Sequence, residues 1–218
     1  MLSQTEENYL KALFHLTSES STKAEVGTNE LAATLTVKPA TVNDMLKRLK
    51  EKKLVNYEKY GKISLTVSGK KQAIEIIRKH RLWETFLYEK LEFTWDEVHE
   101  VAEQLEHIHS PKLIEKLEKF LNYPKVDPHG DTIPNAKGEL IFQERKTLSQ
   151  IAVGKTCRLI AVKNNSASFL QYVMKVGLGL SSKIKVLNRQ DFDGTIEIDV
   201  NGKKSIISQK FADNLFVV

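Results

Sequence analysis

The 218-residue sequence lacks several features that mark specialised classes of protein. Its one cysteine, Cys157, excludes an internal disulfide and zinc fingers built on several cysteine ligands. Ten glycines and five prolines are too few for a collagen-like or low-complexity chain. No segment approaches the roughly 18 uninterrupted apolar residues of a membrane span, and the polar, acidic start does not resemble a secretory signal. We therefore expect a globular, cytoplasmic protein that does not partner a membrane.

The charge of the chain is distributed unevenly. The net charge of +5 is too small to identify a partner. Residues 36–71, however, carry ten Lys or Arg and three Asp or Glu, a net +7, whereas residues 72–123 carry seven and eleven, a net −4, with four of the six histidines. This division predicts a surface for a polyanion in the first segment and a site for a cation in the second.

The N-terminal third has the pattern of a winged helix-turn-helix. A capping box, Ser3 with Glu6, opens a first helix that we expect to reach about residue 17, and Pro39 suits the first position of a third helix. Two short strands, at 54–57 and 63–67, follow as a hairpin. The third helix of such a unit enters the major groove of DNA, where short polar side chains reach base edges and basic side chains hold phosphates.

We assign the candidate DNA contacts to this third helix and to the hairpin. They are Lys38, Pro39, Ala40, Thr41, Asn43, Lys47, Arg48, Lys59 and Lys62. Thr41 and Asn43 are the candidates for base contacts. Two alternatives stay open: the basic run 47–53 could only solvate a helix face, and winged helices also serve as protein-interaction modules.

The acidic segment places imidazole and carboxylate groups at helical spacing. His80 and Glu84 lie four residues apart on one predicted helix. The next helix carries a stripe of four such residues: His99, Glu103, Glu106 and His107. The alternative is that these residues only form a solvent-exposed helix face and bind no ion. Nitrogen and oxygen donors without a thiolate favour a first-row divalent ion at the manganese and ferrous end of the series.

Together these residues resemble the diphtheria toxin repressor and manganese transport regulator family of metal-dependent transcriptional regulators. The resemblance begins in the first helix and covers nearly the whole chain. It is carried by Glu6-Glu7-Asn8-Tyr9-Leu10-Lys11, Lys79-His80-Arg81-Leu82-Trp83-Glu84, the stretch from His99 to His107, and Asp127-Pro128-His129-Gly130-Asp131-Thr132-Ile133-Pro134. From Leu148 onward the chain is similar to the family's optional SH3-like, FeoA-type domain.

The resemblance implies a mainly α fold with a small β domain. The expected parts are a winged helix-turn-helix DNA-binding domain at 1–71, a helical metal-binding and dimerisation domain at 72–121, a linker at 122–147 and an SH3-like barrel at 148–218.

The resemblance also implies two metal sites. The regulatory site would use Asn8, Glu103, Glu106 and His107. The second would use His80, Glu84 and His99, or Glu84 with Asp127 and His129; Asn165 and Ser168 lie where the third domain could add a ligand.

Two positions depart from the patterns of relatives, and a third bears on the choice of ion. Asn8 stands where relatives place Met or Asp, and Lys11 stands where some manganese-type relatives place a second carboxylate, which argues against a binuclear site. Glu103 replaces the cysteine of iron-type members and favours Mn²⁺. The expected cofactor is Mn²⁺, with Fe²⁺ as the alternative and Zn²⁺, Co²⁺ or Ni²⁺ as substitutes in vitro.

The expected function is that of a homodimeric repressor of metal-ion homeostasis, activated by Mn²⁺ or Fe²⁺ to bind a palindromic operator in double-stranded DNA. A winged-helix sensor of an organic ligand is one alternative. A small metallohydrolase is another, although the chain has neither a HExxH pairing nor a Gly-rich phosphate loop. We therefore expect no enzymatic activity.

Overall fold

The computed structural model describes residues 2–19, 24–58, 61–140 and 145–218. The chain forms two compact units. The first comprises Met1–His80, Leu105–Ser110 and Pro134–Leu140, and the second comprises Arg81–Gln104, Pro111–Ile133 and Ile141–Val218. Among the helices in the described ranges, none is both long enough and apolar enough to cross a bilayer.

The first unit is built on the predicted winged helix-turn-helix. Its elements are α1 (Gln4–Phe14), α2 (Thr28–Thr34), α3 (Pro39–Glu51), β1 (Val55–Tyr57), β2 (Ile63–Leu65) and the first part of α4 (Val67–Leu91). The two strands pair antiparallel, with Val55 opposite Leu65, and form the hairpin that the sequence predicts. Helix α4 begins after Thr66, whose hydroxyl accepts the N–H of Gly69 at 3.0 Å.

The predicted capping box opens α1. Ser3 Oγ accepts the N–H of Glu6 at 3.3 Å, and Glu6 Oε2 accepts the N–H of Ser3 at 2.9 Å. The Glu6 carboxylate also lies 2.6 Å from Lys52 Nζ, and Lys52 is the C-cap residue of α3. Glu6 therefore joins the start of α1 to the end of α3.

Helix α1 ends earlier than the sequence predicts. Its α-helical part stops at Phe14, and a π-helical stretch, His15–Glu19, follows. The Thr17 hydroxyl donates to the Leu13 carbonyl at 2.7 Å, a bond with the backbone four residues earlier that often bends a helix.

The core of the first unit lies between α1, α3 and the hairpin. Its fully buried large side chains include Leu10, Leu13, Phe14, Leu31, Leu46, Leu49 and Ile63. Helix α3 contributes Val42, Leu46 and Leu49, whereas Met45 is only partly buried.

The second unit contains the end of α4, four further helices and the β structure. Its elements are α5 (Val98–Leu105, of which Leu105 belongs to the first unit), α6 (Pro111–Phe120), β3 (Lys146–Thr147), β4 (Thr156–Val162), α7 (Ala167–Lys175), β5 (Lys183–Arg189), β6 (Ile196–Val200), β7 (Lys203–Ile207), α8 (Gln209–Ala212) and β8 (Leu215–Val217). The strands form a six-stranded antiparallel sheet in the order β3-β8-β4-β5-β6-β7. The predicted fold class, mainly α with a small β domain, is confirmed.

A loop of the second unit is held against β4. The N–H of Val162 donates to the carbonyl of His129 at 3.0 Å. The next residue, Gly130, has a φ of +86°, and a Cβ placed there would lie 2.0 Å from the carbonyl oxygen of Ile160. Only glycine permits this close approach. The loop therefore has one defined position relative to the sheet.

Candidate metal centres and DNA-binding face

Glu106 is the centre of a buried polar cluster in the first unit. Its side chain is fully buried. Lys11 Nζ lies 2.7 Å from each carboxylate oxygen, and His80 Nδ1 lies 2.5 Å from Oε2. Burial alone would raise the pKa of Glu106, but the hydrogen bond from His80 and the charge of Lys11 hold the pKa below its ordinary value. Lys11 and His80 therefore favour the charged form of this carboxylate and contact both of its oxygens.

His107 is oriented by a carboxylate from α1. Its Nδ1 lies 2.5 Å from Glu7 Oε2, and Glu7 is itself almost fully buried. The other ring nitrogen, Nε2, lies 3.9 Å from Glu106 Oε1. Histidine ligands commonly donate one ring N–H to a carboxylate and use the second nitrogen to bind the ion. Glu7 therefore leaves Nε2 of His107 in the form that a metal ion needs.

Asn8 supplies an unsatisfied oxygen in the same unit. Its Oδ1 is buried, and none of the described residues donates a hydrogen bond to it. A buried carbonyl oxygen without a donor carries a desolvation cost of roughly 1–3 kcal/mol. A bound cation would remove that cost, so this atom fits the ligand role that the sequence predicts.

A second cluster, of Glu84, Asp127 and His129, lies within the second unit. All three side chains are buried, and one ligand atom from each lies within 4.8 Å of the others. His129 Nε2 lies 3.1 Å from the carbonyl of Trp95, so this nitrogen donates its hydrogen there. His129 Nδ1 is 3.5 Å from Glu84 Oε2 and has no hydrogen-bond partner among the described residues. The geometry leaves Nδ1 for an ion.

Two groups of the second cluster have pKa values above their ordinary range. Burial, followed by the charges of Glu84 and Asp131, raises the pKa of Asp127 to about 7. Burial opposes protonation of His129, but the carboxylates of Glu84 and Asp127 raise its pKa above the ordinary value. Ligands must lose their protons to bind a metal, so an ion binding here would release protons.

His99 and Glu103 lie next to this second cluster. His99 Nδ1 is 3.1 Å from Glu84 Oε1, and its Nε2 is 3.6 Å from Glu103 Oε1. His80 and Glu106 belong to the first unit, whereas His99 and Glu103 belong to the second. The predicted groupings of Glu103 with the regulatory ligands and of His80 with Glu84 and His99 therefore remain predictions.

Of the two candidate ligands in the third domain, one has a buried oxygen that could bind an ion. Asn165 Oδ1 is buried without a hydrogen-bond donor among the described residues, whereas Ser168 is exposed on α7. The assignment of a ligand from this domain also remains a prediction.

The predicted DNA contacts lie mainly at the start of α3. Lys38 is its N-cap residue and Pro39 its first residue, and the exposed candidates on the helix are Pro39, Ala40, Thr41, Lys47 and Arg48. Asn43 is half-buried, and its Oδ1 accepts the hydroxyl of Tyr57 on β1 at 2.8 Å.

Three basic candidates differ in their surroundings. Lys47 pairs with Asp44 at 2.9 Å on the exposed face of α3. Lys62 in the hairpin lies 3.8 Å from Glu25. Lys59 lies outside the described residues.

Four contacting residues were not among the sequence-based candidates: Glu7, Lys11, Arg81 and His109. Glu7 contacts His107 and lies 3.5 Å from His109 Nε2, and Arg81 Nε lies 3.5 Å from Asp127. The sequence offered a partial signal, because Glu7 adjoins Asn8 and Lys11 follows Glu7 by one helical turn. The contacts of Lys11 with Glu106 and of Glu7 with His107 span 95 and 100 residues, and no local sequence pattern indicates them.

Comparisons with known proteins agree with this architecture. Residues 1–63 match the sequence model of the family described as the iron dependent repressor N-terminal DNA binding domain. Residues 66–135 match the iron dependent repressor metal binding and dimerisation domain, and residues 146–218 match the FeoA domain.

Relatives and solved structures extend the match. The chain is 32% identical over 133 residues to the iron-dependent repressor IdeR of Mycobacterium leprae, covering 61% of this chain and 56% of that relative, so it spans little more than half of that protein. It is 36% identical over 120 residues to an HTH-type transcriptional regulator of Methanocaldococcus jannaschii, covering 55% of this chain and 94% of the relative. A manganese-dependent transcriptional repressor in complex with manganese has a TM-score of 0.87 at 32% identity, with 98% of this chain and 99% of that chain covered. ScaR with bound Cd²⁺ has a TM-score of 0.80 at 34% identity, with 98% of each chain covered.

Proposed function

The chain belongs to the iron-dependent repressor family of DNA-binding, non-enzymatic transcriptional regulators, and on that premise we propose that it represses genes of metal-ion homeostasis when it binds Mn²⁺. Fe²⁺ is the second candidate ion. The proposed protein is a homodimer that acts in the cytoplasm on a palindromic operator in double-stranded DNA. The family's metal-binding and dimerisation domain supports the homodimer.

One observation carries the proposal. Helix α1, which packs in the winged helix-turn-helix, brings an unsatisfied buried oxygen, Asn8 Oδ1, and the carboxylate that orients His107 into the same unit as Glu106. A bound divalent cation would supply positive charge to these donors. The residues of α1 would then be held to Glu106 and His107 more firmly than in the metal-free protein.

We propose Asn8, Glu103, Glu106 and His107 as the regulatory ligands, and Glu84, Asp127 and His129 as the second set. Both sets combine imidazole nitrogen with carboxylate or amide oxygen. The described ligand groups include no thiolate, which favours the manganese and ferrous end of the series. The iron-dependent relatives and the manganese, cadmium and zinc complexes of similar proteins are compatible with either choice.

The domain boundaries are part of the proposal. We assign DNA binding to 1–71, metal binding and dimerisation to 72–121, a linker to 122–147 and the SH3-like domain to 148–218. The matches to family models at 1–63, 66–135 and 146–218 support three parts of this order.

The proposal is tested by selecting binding sites from random DNA duplexes in the presence of Mn²⁺ or of EDTA. We expect enrichment of a palindromic sequence with Mn²⁺ only, because the ion shifts the equilibrium toward the form that binds DNA. His107→Ala should abolish the response to Mn²⁺, whereas His15→Ala, a histidine outside both clusters, should leave it unchanged. Equal enrichment with Mn²⁺ and EDTA would refute metal control and favour a sensor of another ligand.

A further inference from the structure

Lys11 is a buried cation that pairs with Glu106. Its side chain is 11% exposed, and that of Glu106 is fully buried. Their contact joins positions 95 residues apart, from α1 to the residue that follows α5. Both carboxylate oxygens lie 2.7 Å from Nζ. A lysine is rarely buried to this extent unless it is paired, so the contact is a structural feature of the cluster.

This contact occupies the atoms that an ion would use. Glu106 Oε1 and Oε2 both accept from Lys11, and Oε2 also contacts His80. An ammonium group and a divalent ion bound at the same carboxylate would repel each other at short range in a buried site. A cation can therefore coordinate Glu106 well only after Lys11 has withdrawn from at least one oxygen.

We propose that Lys11 is a built-in competitor of the metal ion: it neutralises Glu106 in the metal-free protein and is displaced when an ion binds. Lys11 thereby sets the ion concentration at which the protein responds. This inference rests on the proposed function, because it takes Glu106 as an ion ligand.

The competing explanation is that Lys11 only holds Glu106 in position for the ion. The two explanations predict opposite effects when the ammonium group is removed. A positioning role predicts weaker ion binding without Lys11, because the carboxylate loses its orientation. A competitor predicts stronger binding, because the ion no longer has to break an existing ion pair.

The test compares the full-length wild type with Lys11→Met and Lys11→Arg. Free Mn²⁺ is followed by electron paramagnetic resonance during a titration, and thermal unfolding is recorded in EDTA. We expect Lys11→Met to unfold at a lower temperature in EDTA, since it leaves a buried carboxylate without its cation. We expect the same variant to bind Mn²⁺ about tenfold more tightly, the fold-change that corresponds to losing one charge-assisted hydrogen bond. Lys11→Arg keeps the charge and should resemble the wild type in both measurements.

Each outcome has a defined meaning. Unchanged or weaker Mn²⁺ binding by Lys11→Met overturns the inference and leaves the proposed function intact, whereas a wild type that binds no Mn²⁺ refutes the proposed function itself. If Lys11→Met folds only when Mn²⁺ is present, the ion replaces the ammonium group and the inference is supported. If it folds in neither condition, Lys11→Gln, which keeps a donor without the charge, is titrated instead. Tighter binding by Lys11→Gln supports the inference, and weaker or equal binding, or failure to fold in both conditions, overturns it.

Discussion

At the scale of single residues, the proposed regulatory site depends on a side chain that is not a ligand in the proposal. Glu7 accepts from Nδ1 of His107 and leaves Nε2 on the side of Glu106. A glutamine in its place could turn its own N–H toward His107, and the ring would lose its preference for one protonated nitrogen. Glu7 is therefore a positioning residue whose effect is separable from that of the ligands.

We predict that Glu7→Gln lowers the affinity for Mn²⁺ by roughly 10- to 100-fold, the usual effect of losing a carboxylate that orients a histidine ligand. Isothermal titration calorimetry measures the change. Glu115→Gln on the exposed face of α6 is the matched control and should bind Mn²⁺ like the wild type. Equal affinities for the two variants would show that the contact seen between Glu7 and His107 does not orient the ring.

Cys157 gives a second prediction at this scale. The thiol is buried in the core of the second unit, and burial raises its pKa to about 11. Because the reactive form is the thiolate, we expect the native protein at pH 8 to react with a disulfide reagent far more slowly than the unfolded chain. Absorbance after mixing with and without urea measures both rates. Comparable rates would mean that the core around Cys157 opens readily.

At the scale of elements, the loop that carries Asp127 and His129 depends on one glycine. Gly130 has a φ of +86° and lies against the backbone of β4. Gly202 has a φ of +84°, but a Cβ added there would meet no described atom within 4 Å. The two glycines share a backbone conformation and differ in their surroundings. They therefore separate the conformational cost of a side chain from the steric cost.

We predict that Gly130→Ala lowers the free energy of unfolding of the second unit by roughly 3 kcal/mol or more, and Gly202→Ala by about 1 kcal/mol. Both variants carry the left-handed backbone cost, and only the first clashes with Ile160. Urea denaturation followed by circular dichroism measures both. A similar loss of unfolding free energy in the two variants would show that the left-handed backbone conformation alone, and not the clash with Ile160, causes the destabilisation.

The parts of the fold that the sequence predicts are those that depend on residues close together in the chain. The capping box of α1, Pro39 at the start of α3 and the alternation of the hairpin all concern residues within a few positions of each other. The short strands β3 and β8 are not predicted, since β3 depends on pairing with β8 about seventy residues away, and β8 depends on pairing with β3 and with the distant strand β4.

The same limit applies to the clusters. The spacing of the histidines and carboxylates predicts which residues could serve as ligands. The partners of those residues, Lys11 for Glu106 and Glu7 for His107, are separated from them by 95 and 100 positions. Helical periodicity carries no information about contacts of that kind.

At the scale of the whole molecule, the proposed DNA-binding and metal-binding functions lie in segments of opposite net charge. The segment 36–71, with a net charge of +7, contains α3 and the hairpin. The proposed ligands other than Asn8, Asp127 and His129 lie in the segment 72–123, with a net charge of −4. Bound divalent ions would offset part of that negative charge and reduce its repulsion of DNA phosphates.

We predict that the affinity of the metal-loaded protein for its selected DNA site falls by roughly 10³- to 10⁵-fold between 50 and 200 mM salt, as phosphate contacts release counterions. Lys47→Gln should reduce the slope of log affinity against log salt by about one for each protomer. Lys183→Gln, an exposed lysine on β5, is the control and should keep the wild-type slope. Anisotropy titrations at several salt concentrations measure the slopes, and a slope unaffected by Lys47→Gln would remove this residue from the contact set.

The double role of Glu6 has a consequence for how this sequence can vary. The same carboxylate completes the cap of α1 with Ser3 and pairs with Lys52 at the end of α3. A substitution at position 6 therefore disturbs two helix ends at once, and a second change at position 52 could restore only one of them. Among natural variants of this protein, we expect positions 3, 6 and 52 to change together or not at all.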